Sequence, residues 1–312
     1  MTEVSRRSVR PILSAVPIGN RSVDLHRRMV ASVLALAGRP SPGTSFELVD
    51  VDVGDGVRVR GEWVQGPGVH AGNDAVVLYV HGSGYAVCSA RTHRGLVSRL
   101  SKMTGLPVFA CDYRLAPRHR FPAPADDVRA AFDWLLERAY SPDRIVLAGD
   151  SAGGHLILDL VLELRRSLQP TPAALALFSP FVDLTLTLAD RRDAVIRDPM
   201  ISAAAARRLV GLYTRGLDPE DRRLALEFDD VTGFPPTLIQ AGGAEMLRAD
   251  AEYLADVLGA RCRLEVWPDQ AHVFQALPLL VREADLALGE AAAFIVASLA
   301  AGERSPHRQE IS

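Results

Sequence analysis

A stretch of twenty residues near the middle of the chain constrains the fold more than any other. Residues 145–148 are apolar throughout, as in a strand covered on both faces, and residues 156–164 have the leucine-rich pattern of a buried helix. The intervening residues 149–153, with the sequence GDSAG, leave room only for a sharp turn. Glycines on both sides of Ser151 allow strand and helix to approach closely, so the serine is held on a strained backbone at the start of the helix.

The same alternation continues along the chain. Further apolar runs predict buried strands, and the segments between them have helical periodicity; the predicted strands are 75–80, 108–111, 173–178, 237–241 and 262–266, and the predicted helices are 92–103, 125–138, 151–168, 248–259 and 284–299. Strands that alternate with helices indicate an α/β fold with a mostly parallel sheet, right-handed crossovers and helices on both faces.

The N-terminal part has a different pattern. A helix is predicted over residues 22–37, and polar and apolar residues then alternate over residues 46–53 and 57–64. Asp55-Gly56 between these two segments is typical of a tight hairpin turn. We therefore expect an antiparallel hairpin at the edge of the parallel sheet.

About sixty residues separate Phe178 from the strand that begins at Thr237, which is more than a crossover needs. Helical insertions at the carboxyl ends of parallel strands often cover a binding site. We expect one domain over residues 1–300, with a helical cap formed by about 1–40 and 185–225. The polar residues 301–312 are expected to form a disordered tail.

Composition excludes several classes of function. The chain has 35 basic and 38 acidic residues and a net charge of −3, without the basic footprint of a nucleic-acid-binding protein. No apolar run is long enough to predict stable membrane association, and the apolar stretch after Arg6-Arg7 is broken by prolines, which argues against a signal peptide. Three widely spaced cysteines without metal-ligand spacing favour a reduced, cytoplasmic compartment and no metal site.

Ser151 needs a base to become a nucleophile, and the base needs a carboxylate to orient it. After a turn of this type the acid and then the histidine follow the serine along the chain, each in a loop beyond a strand. His272 follows the strand 262–266, whereas His307 lies in the tail. Sequence reasoning therefore selects His272 as the base. His26, His70, His93 and His119 are expected to have no catalytic role. His155, one turn into the helix that follows Ser151, is expected to pack or to form a local hydrogen bond.

Two carboxylates compete for the third role. Glu245 lies where the loop leaves the strand 237–241, and Asp250 lies about a turn later. The position of Glu245 favours it, and Asp250 would then be a helix-start charge. Backbone N–H groups that stabilise a developing oxyanion are expected from Ala152 and from the loop that follows the strand 75–80.

These motifs resemble those of the hormone-sensitive lipase family, the bacterial family IV esterases of the α/β-hydrolase superfamily. The resemblance rests on residues 81–84 (HGSG), 112–117 (DYRLAP) and 149–154 (GDSAGG), followed by Ser179-Pro180 and Asp198-Pro199, and it extends over about 75–275. It implies an α/β-hydrolase fold with a central sheet and a helical cap. It also implies a serine carboxylesterase for short- to medium-chain esters that works through an acyl-enzyme, needs no cofactor and is compatible with a homodimer.

By this resemblance Ser151 is the nucleophile, Glu245 aligns with the usual aspartate and His272 is the base. The oxyanion donors are the backbone N–H groups of Ser83, Gly84 and Ala152. The chain departs from the family pattern at Ser83, which replaces the middle glycine of the loop, at Arg118, where an acid is common, and at Glu245 itself.

Three alternatives stay open from sequence. The same three residues could hydrolyse lactones or amides, because the cap and not the catalytic residues selects the substrate. The fold could instead serve a non-catalytic ligand-binding protein, although such relatives have lost the histidine that this chain retains at 272. An inert interaction protein would not need to retain nucleophile, base and oxyanion loop together.

Overall fold

The computed structural model describes residues 18–70, 72–217 and 221–303. These residues contain one eight-stranded sheet. The strands are β1 (Ser45–Gly54), β2 (Val57–Gln65), β3 (Val76–Val80), β4 (Val108–Cys111), β5 (Ile145–Asp150), β6 (Ala174–Phe178), β7 (Thr237–Gly242) and β8 (Cys262–Trp267). Their order in the sheet is β1-β2-β4-β3-β5-β6-β7-β8. Every residue of β3 to β7 is buried, which is why these strands are apolar without alternation.

The hairpin at the sheet edge is antiparallel, as predicted. Val51 pairs with Val59 and Ser45 with Gln65, and the register shifts between Asp52 and Gly54. β2 is also antiparallel to β4, whereas β4-β3-β5-β6-β7-β8 are parallel. The prediction of a mostly parallel sheet with an N-terminal antiparallel hairpin is therefore confirmed.

Helices cover both faces of this sheet. They are α1 (Val23–Ala37), α2 (Arg94–Thr104), α3 (Ala123–Glu137), α4 (Ala152–Arg166), α5 (Thr187–Val195), α6 (Ala203–Thr214), α7 (Arg222–Ala225), α8 (Arg248–Leu258) and α9 (Glu283–Glu303). Helix α2 packs against α9, and α3 packs against α4. Across the sheet, the connection from β3 to β4 runs in one direction and the connection from β4 to β5 runs in the opposite direction. Right-handed crossovers therefore place α2 and α3 on opposite faces of the sheet.

This reversal positions the site. The carboxyl ends of the adjacent strands β3 and β5 form the switch point of the sheet, where an open α/β sheet has its crevice. The loop after β3 and the turn after β5 therefore lie side by side. The loops after β7 and β8 reach the same edge.

The chain ends differ in part from the prediction. Helix α9 continues to Glu303, so residues 301–303 of the expected tail are helical. Residues 304–312 and residues 1–17 of the expected cap lie outside the described residues.

One helix among the described residues is long and apolar enough to span a membrane. Glu283–Gly302 has a mean hydropathy of 1.6, but one face of this helix is buried against the protein, including Leu288, Ala291 and Ile295. A core helix of a globular protein has the same composition, so this feature is weak evidence for a membrane span.

Candidate active site

The turn after β5 holds Ser151 in a strained conformation. Its φ of 50° and ψ of −120° are rare for a residue with a side chain, and its N–H donates to the carbonyl of Phe178 at 2.9 Å. Helix α4 starts at the next residue and crosses β3 so closely that a Cβ on Gly153 would lie 2.0 Å from the carbonyl oxygen of Val80. The glycine that follows the serine is therefore required by the close contact of helix and strand.

His272 reaches this serine from the loop after β8. Its Nε2 lies 3.0 Å from the Oγ of Ser151. The next residue in the loop, Val273, donates its N–H to the hydroxyl of Ser179 at 3.1 Å, and Ser179 is fully buried at the end of β6. Ser179 thus holds the histidine loop against the neighbouring strand.

Glu245 contacts the other ring nitrogen of this histidine. Its Oε2 lies 2.5 Å from Nδ1 of His272, and its Oε1 accepts a hydrogen bond from the N–H of Gly242 at 2.7 Å. The carboxylate is fully buried. Because a carboxylate only accepts, Nδ1 carries a proton and Nε2 of the neutral ring is free to accept the serine proton.

Burial and the carboxylate act in opposite directions on this imidazole. Burial disfavours the charged form of His272, but the attraction and hydrogen bond of Glu245 outweigh it, and the pKa of His272 is raised above its ordinary value. An imidazolium formed during a reaction is therefore stabilised in place.

Asp250 is in a different environment. It lies in the first turn of α8, and its Oδ1 accepts hydrogen bonds from the N–H groups of Val182 and Asp183 at 2.9 and 2.8 Å. Burial raises the pKa of Asp250 to about 7. The structure therefore brings Glu245, and not Asp250, to the histidine.

The loop after β3 faces the serine with its backbone. Ser83 and Gly84 have φ values of 72° and 61°, and both line the same cavity as Ser151. Within the described part of the chain, no acceptor pairs with the N–H groups of Ser83, Gly84 and Ala152. The Ser83 hydroxyl lies 2.9 Å from the thiol of Cys88, so this side chain is tied to its own loop.

A cavity of about 350 Å³ opens above the serine. Its walls are mainly apolar and come from α1, from α6 and from the loops around them; they include Met29, Val30, Leu34, Phe181, Met200, Ile201, Ala206, Leu209, Val210 and Leu277. Helices α1 and α6, which contribute to this lining, belong to the two segments predicted as a cap. Such a lining binds hydrocarbon and offers little to charged groups.

Two further residues support the acid loop and were missed by sequence reasoning. Arg192 of α5 donates to the carbonyl oxygens of Gly243 and Glu245, both at 2.9 Å. The buried carboxylate of Asp198 accepts the N–H of Met246 at 2.8 Å. Asp198 was visible only as part of the Asp-Pro motif, and nothing in the sequence marks Arg192.

The remaining sequence predictions concern other histidines and metals. His155 is buried, contacts the carbonyl oxygen of Leu224 at 3.2 Å and has a pKa lowered by burial to about 4. It is a packed, neutral residue, in line with the local role expected for it. No group of three or more metal-ligating side chains occurs among residues 18–70, 72–217 and 221–303.

Comparisons with known proteins identify the fold. Residues 77–276 match a family model described as alpha/beta hydrolase fold. The chain is 34% identical to carboxylesterase/phospholipase LipF of Mycobacterium tuberculosis, over 97% of this chain and 83% of that protein. It is 36% identical to an acetyl-hydrolase of Streptomyces hygroscopicus, over 80% of this chain and 85% of that protein.

Solved structures give the same result. The structure of an esterase from the bacterial hormone-sensitive lipase family superposes with a TM-score of 0.83 at 34% identity, and the match covers 92% of this chain and 95% of that one. The sheet, the close strand–helix turn and the extent of these matches lead to one assignment: the chain belongs to the α/β-hydrolase fold family and, within it, to the bacterial hormone-sensitive lipase family.

Proposed function

We propose that the protein is a serine carboxylesterase that hydrolyses esters with apolar acyl groups of short to medium length through an acyl-enzyme. The observation that carries the proposal is the continuous chain of contacts from the Ser151 hydroxyl through the His272 ring to the Glu245 carboxylate. The names of the relatives, carboxylesterase and esterase, support ester hydrolysis.

In the proposed reaction, Ser151 Oγ attacks the ester carbonyl carbon while Nε2 of His272 takes the hydroxyl proton. The negative charge that forms on the carbonyl oxygen is stabilised by the N–H groups of Ser83, Gly84 and Ala152. His272 then gives its proton to the departing alkoxide. Water then attacks the carbonyl carbon of the acyl-enzyme while His272 takes a proton from the water. His272 returns this proton to Oγ of Ser151 as the bond between Oγ and the acyl carbon breaks and the carboxylic acid is released.

The cavity supports the choice of substrate. An ester acyl chain is apolar, and burying each methylene contributes about 0.8 kcal/mol. The cavity is mainly apolar and opens onto Ser151, so binding energy comes from the hydrocarbon part of the substrate while the polar reaction centre faces the oxyanion loop. We infer that α1 and the segment 185–225 act as the cap that selects the acyl group.

The test uses p-nitrophenyl esters with acyl chains of two to sixteen carbons, together with a panel of lactones and an anilide. We expect turnover with a maximum at short or medium chain length, and loss of that turnover in Ser151→Ala. A Ser151 adduct is expected by mass spectrometry after treatment with an alkyl phosphonate ester. Binding of esters without turnover, or turnover that survives in Ser151→Ala, would exclude this mechanism, and preference for lactones would redefine the substrate.

The enzyme is further proposed to act in the cytoplasm, without a cofactor and without stable membrane association. The buried face of α9 supports the absence of stable membrane association, and the three widely spaced cysteines support a reduced compartment. Light scattering of the purified protein distinguishes a monomer from the homodimer that the family resemblance allows, and dialysis against a chelator should leave turnover unchanged.

A further inference from the structure

A second pair of ionisable side chains lies behind the nucleophile and has no part in the reaction above. Asp150 directly precedes Ser151 and is almost completely buried. Its Oδ1 accepts a hydrogen bond from the hydroxyl of Tyr79 at 2.7 Å and lies 3.4 Å from Nε2 of His93. His93 is equally buried, and both side chains line the cavity that contains Ser151.

The contacts of His93 favour a proton on each ring nitrogen. Nδ1 lies 3.1 Å from the hydroxyl of Thr92 and 3.4 Å from the carbonyl oxygen of Ser89. The Thr92 hydroxyl already donates its one proton to that carbonyl, so both neighbours of Nδ1 act as acceptors. Nε2 faces the carboxylate of Asp150, which is also an acceptor. A ring that donates from both nitrogens is an imidazolium.

The other ionisable groups around His93 allow this charge. His81 stacks on it with ring centroids 5.6 Å apart, and burial lowers the pKa of His81 to about 3, so His81 is neutral. Tyr79 lies 6.0 Å away, and burial raises its pKa well above 10, so Tyr79 is neutral as well. Asp112, which accepts the N–H of Ala90 at 2.6 Å, also favours the charged form of His93 and raises its pKa. Burial would lower the pKa of His93, but the attraction of Asp150 outweighs it and raises the pKa.

The carboxylate of this pair lies against the oxyanion loop. A Cβ built on Gly82 would be 2.3 Å from Oδ2 of Asp150 and 2.9 Å from Cβ of Ser151. Only a glycine fits between them. An unpaired negative charge at this position would repel the oxyanion that forms at the next two residues of the loop.

We propose that His93 is a positioning residue that remains an imidazolium and neutralises Asp150, so that the oxyanion forms beside a neutral pair rather than beside a buried carboxylate. The proposal rests on the serine mechanism above. It adds a residue that acts through Asp150 and the oxyanion loop and does not touch the substrate carbonyl.

A double-mutant cycle tests it with p-nitrophenyl butyrate at pH 8. We expect His93→Gln to lower kcat roughly 30-fold with KM changed less than about threefold, because the repulsion acts on the transition state. That loss corresponds to about 2 kcal/mol. In an Asp150→Asn background the same His93→Gln change should lower kcat less than about threefold. Equal losses in both backgrounds, or a loss confined to KM, would overturn the proposal.

A matched control is His155→Gln, which removes another buried histidine that is neutral and whose Nε2 contacts the backbone carbonyl oxygen of Leu224. Its effect on kcat should be small and independent of the residue at 150. Dependence on residue 150 would mean that the cycle reports general loosening of the turn, and the proposal would fail.

A measurement on the unmutated enzyme covers the case in which His93→Gln does not fold. In protein labelled with ¹⁵N-histidine, both ring nitrogens of His93 should remain protonated at pH 8, and a neutral ring would overturn the proposal. Turnover that survives in Ser151→Ala would instead remove the proposed function itself. Loss of turnover in Ser151→Ala together with an additive cycle would remove only the role of His93.

Discussion

Replacing Glu245 by glutamine isolates the role of the buried carboxylate at the site. Its two oxygens accept from the ring Nδ1 of His272 and from the N–H of Gly242. An amide offers one oxygen and one NH₂ group, so it cannot accept from both. If its NH₂ faces the ring, Nδ1 must lose its proton and Nε2 gains one, which leaves no lone pair to accept the proton of Ser151.

The wrong tautomer should cost about 10⁴-fold in kcat, which is about 5 kcal/mol of transition-state stabilisation. The matched variant is Asp250→Asn, since Asp250 lies five residues further on and is equally buried. Its Oδ1 accepts from two backbone N–H groups, and an asparagine oxygen does the same. We therefore expect Asp250→Asn to lower kcat less than about fivefold.

Steady-state kinetics with p-nitrophenyl butyrate at pH 8 measure both variants, and thermal melts establish that both are folded. Comparable losses in the two variants, or a larger loss in Asp250→Asn, would refute the assignment of Glu245. A loss in Glu245→Gln that appears only in KM would also contradict it, because the carboxylate acts on the base and not on substrate binding.

Three other predictions follow from burial and charge. Because Glu245 raises the pKa of His272, the acid limb of kcat should have its midpoint above about pH 6.5. A pH–rate profile measures this midpoint, and a value well below pH 6 would contradict the contact. Asp250 has a pKa of about 7 against 3.8 ordinarily, so the folded state binds more protons than the unfolded state, and the free energy of unfolding falls as pH rises from about 4 to about 7. Asp250→Asn should remove this loss, which is on the order of 4 kcal/mol. Thermal melts should therefore show a larger increase in Tm over wild type at pH 8 than at pH 5. Ala206 lines the cavity, so Ala206→Phe should lower kcat/KM for an octanoate ester at least about tenfold, while turnover of an acetate ester stays within about threefold. Ala204→Phe, on the exposed side of the same helix, is the control and should change neither value.

The contribution of the sequence is clear for the turn at Ser151. Its glycines, its flanking apolar strand and its leucine-rich helix are all within twenty residues, and local sterics dictate how such a segment folds. The parallel sheet was predictable for a similar reason, because strands buried on both faces are apolar at every position. His272 could be selected because chain order and loop position leave few histidines available after the serine.

The supporting residues around the acid were not predictable in this way. Asp198 contacts Met246 across 48 residues, and Arg192 contacts the carbonyl oxygen of Glu245 across 53. Both are single charged residues in a long insertion, where the sequence contains many others. Only their position in the folded chain separates them from surface charges.

The amino-acid sequence by itself determined the strand–turn–helix unit and the succession of strands and helices along the chain, because these depend on local sterics and on hydrophobic periodicity. It also selected Ser151 and His272 as the candidate nucleophile and base. The tertiary structure alone showed that Glu245, and not Asp250, contacts His272, and it paired His93 with Asp150. Both carboxylates at 245 and 250 follow the same strand, and the direction in which each side chain points is set by loops that pack from distant parts of the chain.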